Sequence, residues 1–147
     1  MKRSVGKLTS IELDTNLYGF GCIREEPLVS FFDLFKTTPI ISMQELDSIE
    51  PSFSIWVMNY ALRKKSWQTL DIELSPEHFL LPKFFFIKDA LSGELYKTID
   101  GSQQIETTID ECRELERAAV WDPEHVEERL FDLYKRRPNK WVELYKI

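Results

Sequence analysis

Residues 111–130 read ECRELERAAVWDPEHVEERL, and the way this stretch is read decides the fold. Trp121-Asp122-Pro123 is a corner. Aspartate favours the N-cap of a helix, and proline is tolerated at the first helical position because its missing N–H would be unpaired there anyway. Two short helices meeting at 121–123 are therefore predicted. Upstream, Thr108 with Glu111 three residues later matches a capping box. Ile109, Cys112, Leu115 and Ala119 recur at helical spacing and define a buried stripe. Downstream, Val126, Leu130, Leu133 and Tyr134 give the second helix its apolar side. Lys135, Arg136 and Arg137 suit the negative end of its dipole, and Pro138-Asn139 stops it. Trp141–Ile147 is an aromatic tail, expected as a last edge strand or a docked extension.

Two such helices need a surface to pack on, and the chain before them supplies strands. Val5–Leu13 alternates loosely, Asp14-Thr15-Asn16 is turn chemistry, and Leu17–Arg24 follows. In that second strand Tyr18, Phe20 and Cys22 share one face. Gly19 and Gly21 share the other, which implies a close approach by a neighbour. Leu28–Phe35 is a third strand, and short turns make the three an antiparallel meander. Ser42 with Glu45 predicts a capped helical turn ending before Pro51. Phe53–Leu62 is the strongest strand by composition, and it is expected to pair with Ser66–Leu74 as a hairpin across Lys64-Lys65. A loop with Pro76 and Pro82 follows. Phe84–Lys88 is wholly apolar before its lysine and so is expected in the middle of a sheet. Glu94–Ile99 pairs back, and Asp100-Gly101 signals a further hairpin to Gln103–Thr107. About eight strands are expected before residue 107.

The predicted fold is α+β. A coiled antiparallel sheet, or a small SH3-like barrel, spans residues 1–107; two packed helices span 108–137, and 138–147 is a tail. At 147 residues the chain suits a single domain with one core. Its 43% apolar content argues against disorder. A net charge of −6 disfavours a nucleic-acid ligand and favours a basic protein partner. Five glycines leave little for a phosphate-cradling loop. Cys22 and Cys112 are far apart and form no CxxC, so two reduced thiols in a cytoplasmic protein are expected. The N-terminus lacks the apolar core of a signal peptide, and no run is long enough to span a bilayer. No cofactor and no metal site is expected.

Charge is concentrated in the helical stretch. Glu106–Glu128 holds nine acids against Arg113 and Arg117, whereas Arg129–Ile147 is net basic. One reading makes these acids solvated helix faces that favour the N-terminal dipoles. The other makes them a patch that docks a cationic surface, with Glu114, Glu116, Asp122, Glu124, Glu127 and Glu128 as contacts. Trp121, at the corner, is then either packing or an aromatic anchor. His125 and Glu128 lie three apart but lack metalloprotease spacing, and His78 has no sequence partner. A small hydrolase using either histidine is the enzymatic alternative, and a scaffold module for a basic partner is another. No positioned nucleophile supports catalysis.

AAVWDPEHVEERL together with RPNKW resembles the immunity protein 26 family of bacterial polymorphic toxin systems. The opening KRSVGKLTSIEL, then YGFGCI and LVSFFDLF, is similar to that family's start. The resemblance implies a non-enzymatic protein that binds and neutralises a cognate toxin, a basic nuclease being one such partner. It brings no agreed functional residues, so the acids and Trp121 above rest on charge and placement alone.

Overall fold

The computed structural model describes residues 3–46, 48–75 and 82–147. Its strand part begins as the alternation predicts. Strands β1 (Lys7–Asp14), β2 (Leu17–Ile23) and β3 (Leu28–Phe31) form an antiparallel meander. Asn16 takes a left-handed φ of 56° in the first turn, where the Asp14 carboxylate accepts the Thr15 amide at 2.8 Å. The third strand is shorter than expected and stops at Phe31.

The paired glycines do what their spacing implies. A Cβ on Gly21 would stand 3.0 Å from the Phe31 ring and 3.1 Å from the Ser30 carbonyl. Gly19 is roomier, with Leu13, Leu130 and Phe35 at 3.4–3.6 Å. Gly21 thus lets Phe31 lie flat against β2, and Gly19 lets a helix settle on the sheet.

Strand β4 (Phe53–Val57) adds beside β3. The expected hairpin with the next strand does not form. The far side of β4 is taken by a strand from residues 120–121, so no ladder position is left there. A 3-10 turn over Asn59–Arg63 instead carries the chain to the opposite edge, where β5 (Trp67–Glu73) pairs with β1. A second sheet holds β6 (Phe85–Lys88), β7 (Leu95–Thr98) and the two-residue β8 (Ile105–Glu106). As the apolar run predicts, β6 is internal, and Phe85 and Phe86 are buried.

The largest departure lies in the opening stretch. Its first helix, α2 (Ile109–Cys112), is a single turn; α1 (Met43–Leu46) is another. Residues 116–121 are extended rather than helical. Glu116–Arg117, β9, pairs parallel with β6; Val120–Trp121, β10, pairs parallel with β4. Two open sheet edges, each needing backbone partners, outweigh the helix preference of an Ala-Ala segment. The sheets are therefore mixed, in orders β10-β4-β3-β2-β1-β5 and β8-β7-β6-β9. Among the described residues, ten strands in two sheets with helices at the C-terminal end make the α+β class that the pattern predicts. Ile109, expected in the buried stripe, is half-exposed, while Cys112 is buried.

The second helix is present, but Tyr134, expected in its apolar stripe, is 43% exposed, and Arg136 and Arg137, expected in its last turn, lie past its end. Helix α3 (Pro123–Lys135) has Pro123 in its first turn and buries Val126 and Leu130 against Ile11, Phe31 and Trp67. The other face of the larger sheet packs Leu8, Phe20 and Cys22 on Phe32, Ile41 and Leu46. The aromatic tail is a helix, α4 (Lys140–Tyr145), with Trp141, Val142 and Tyr145 against the first cluster. No helix among the described residues is long and apolar enough to cross a membrane.

Candidate partner-binding surface

The acids of the opening stretch have unequal roles. Glu116 lies on β9 and takes a bidentate pair from Arg129 of α3, at 3.0 and 2.8 Å. The Arg129 guanidinium also sits 3.8 Å from the centre of the Phe53 ring, with 11% of its side chain exposed. Planar, forked and weakly hydrated, it suits a buried position between a carboxylate and a ring. Glu127 accepts three donors on one oxygen: Trp67 Nε1 at 2.7 Å, Lys64 Nζ at 2.8 Å and Ser66 Oγ at 3.2 Å. It fastens α3 to the turn before β5. Glu128 accepts Trp141 Nε1 at 2.8 Å and so holds α4 on α3.

Asp122 stands at the N-cap position, but its side chain makes no cap bond, contrary to the expectation for it. Its backbone carbonyl accepts from His125 and Val126 at 3.1 Å, and its carboxylate turns towards Tyr60 and His125. Burial first, then the charges of Glu124 and Asp122, raise the Tyr60 pKa. Trp121 is an interior residue, 2% exposed, edge-on to Tyr145 at 5.4 Å. Glu114 and Glu124 are exposed, and Glu124 lies 3.6 Å from Lys64. A hydrogen bond at its own backbone N–H leads the causes that lower the Glu124 pKa. The expected capping box at 108–111 is half made. The Thr108 hydroxyl accepts the Glu111 amide at 3.3 Å, but the Glu111 carboxylate takes Thr107 and, at 2.9 Å, Lys97.

His125 stacks on Trp141, ring centres 3.9 Å apart, with Nδ1 4.0 Å from Asp122. His78 falls outside the described residues. Among the described residues no group of three or more His, Cys, Asp or Glu side chains is placed to hold a metal ion.

One network escaped the sequence reading. Asp132 is 7% exposed and accepts Arg137 Nε at 2.5 Å and Asn139 Nδ2 at 2.8 Å. Asn139 in turn caps α4, accepting the Trp141 and Val142 amides at 3.1 and 3.0 Å. RPNKW is thus a helix-to-helix corner. A signal existed: Asp132 falls among the apolar residues of α3, where an unpaired carboxylate would be costly.

Geometry and charge together define an acidic α+β protein that uses many of its carboxylates to tie its own elements together. The chain belongs to the immunity protein 26 family, whose model matches residues 4–106. The match covers the strand part, which holds YGFGCI and LVSFFDLF, and stops before the corner at 121–123. No curated protein and no solved structure matches the chain.

Proposed function

We propose that this chain is an immunity protein that binds and neutralises a cognate toxin domain of a polymorphic toxin system by steric and electrostatic occlusion. The observation that carries this reading is the family match over residues 4–106. The net charge of −6 supports a cationic partner, and a basic nuclease fits that description. In this reading the protein acts in the cytoplasm, without cofactor or catalysis. Glu114 and Glu124, which are exposed, meet the partner directly, and the partly exposed Asp122 and Glu128 are further contacts. Glu116, Glu127 and Trp121 contribute by holding that face in shape.

The test is co-expression with the polypeptide encoded directly upstream. The chain should restore growth that the polypeptide alone arrests, and the purified pair should bind more weakly as salt rises. Growth arrest unrelieved by the chain, with no complex in solution, would overturn the reading. A Glu114→Lys, Glu124→Lys double variant that protects fully and keeps the salt response would remove these acids from the interface.

A further inference from the structure

An interface needs desolvated apolar anchors as well as charge. With Trp121 in the interior, the opening stretch offers only Val120 as an exposed large apolar side chain among the described residues. A pair of exposed isoleucines lies elsewhere. Ile99 is 47% and Ile105 51% exposed, and with Phe84 they line a hollow of about 340 Å³ at the β8 edge of the smaller sheet. We propose that this hollow is the anchor site for the toxin, and that its occupant is a protein segment presenting an aliphatic or aromatic side chain next to a lysine or arginine. The inference rests on the function proposed above.

Charge selects the occupant. Glu94–Glu111 carries five acids and one base, and that base, Lys97, is already held by Glu111 at 2.9 Å. Asp100 stands on the rim of the hollow, and Lys97, opposite Ile105 and 4.9 Å from the centre of the Phe84 ring, has its charge offset by Glu111. An apolar floor with an anionic rim fits a cationic, amphipathic side-chain pair. Size agrees: the hollow is at the lower end of the roughly 300–1,000 Å³ typical of ligand sites, enough for a large side chain.

The rim is held in place before any partner arrives. Asp100 accepts the Ser102 amide at 2.9 Å and its hydroxyl at 2.6 Å, and the buried Thr98 hydroxyl accepts the Gly101 amide at 2.8 Å. Those bonds to Ser102 hold the Asp100 pKa down, so the rim is anionic at neutral pH. A fixed loop loses little freedom on binding. Phe84 also lines the neighbouring hollow, which contains Glu114 and Lys83.

The experiment measures the affinity of the full chain for the purified upstream polypeptide by calorimetry. Ile99→Ser with Ile105→Ser should weaken binding by about tenfold or more, as loss of anchor residues does. Asp71→Lys, a charge reversal on the far edge strand β5, should leave it within about twofold. If the wild-type chain does not bind, the proposed function falls. If it binds and the double serine variant binds equally well, the function stands and the anchor site falls. Should the variant unfold, hydrogen exchange on the wild-type complex decides. Slowed exchange across residues 97–107 supports the site, and unchanged exchange there overturns it.

Discussion

Replacing Glu127 with alanine removes the acceptor shared by three donors in the turn that leads into β5. Trp67 is 3% exposed, so its indole N–H, now at 2.7 Å from Glu127 Oε2, would have neither carboxylate nor bulk water. Orphaning such a group costs about 1–3 kcal/mol. The Lys64 pair adds less, about 0.5–1 kcal/mol, because a fifth to a third of each side chain meets solvent and water replaces part of it. The Ser66 bond at 3.2 Å is long and is counted as nothing. Glu127→Ala should therefore destabilise by about 1.5–4 kcal/mol and lower the urea midpoint by about 1–2 M. Glu127→Gln keeps an acceptor for the indole and should cost only about 1 kcal/mol.

The same site has a pH signature. Burial pulls the Lys64 pKa down, but the bonds and charges of Glu127 and then Glu124 outweigh it, so the folded value lies above the ordinary 10.5. A value raised by folding stabilises fully below 10.5, and that stability is lost as pH rises past the folded value. The gap between wild type and Glu127→Gln should accordingly narrow in strong alkali. Urea titrations followed by tryptophan fluorescence, at neutral and alkaline pH, measure both effects. A Glu127→Ala variant within 0.5 kcal/mol of wild type, a difference of about the size seen for ordinary surface changes, would refute the assignment of Glu127 as a clamp.

Gly21→Ala should destabilise by about 1–3 kcal/mol through overpacking on Phe31, whereas Gly19→Ala should be far milder; thermal melts of the two separate these outcomes. Asn139→Ala removes the α4 cap and one partner of buried Asp132, so a loss of about 2 kcal/mol or more is expected in denaturant titration. Burial pushes the Cys22 thiol up to about 12, with Arg24 opposing it, and Cys112 is raised for the same first reason. Both thiols should be silent to a thiol-reactive dye at pH 8 in the native protein and react on unfolding. A chain ending at Thr107 should show no cooperative unfolding transition, since it leaves β4 and β6 without β10 and β9 and uncovers the cluster beneath α3.

What was legible in the sequence is what local chemistry dictates. The meander follows from alternation and from Asp14-Thr15-Asn16; the close approach at β2 follows from Gly19 and Gly21; α3 follows from Pro123 and its stripe. What was illegible depends on partners distant along the chain. Residues 116–121 have the composition of a helix, and only the two sheet edges beside them make them strands. Phe53–Val57 lost its expected hairpin for the same reason. Asp122 carries the residue type of a cap, yet its carboxylate lies towards Tyr60 and His125. The acids were visible as charge. Their division into internal clamps and free contacts was not, because Lys64 stands 63 positions from Glu127 and Arg129 is 13 from Glu116.

That division bears on how such a protein could change partners. On α3 the carboxylates of Glu127 and Glu128 hold buried indoles or neighbouring elements, so a charge change there alters the fold before it alters recognition. Glu116 is bound in the same way through Arg129, which packs on the Phe53 ring. At the β8 edge the situation is reversed. Ile99, Ile105 and Glu106 are exposed and carry no such bonds to the interior. Substitution there changes the surface at little cost in stability. An inhibitor of the kind proposed above gains from this separation. The segment after residue 106 closes both sheets, and the edge formed by the residues before it is left free to vary.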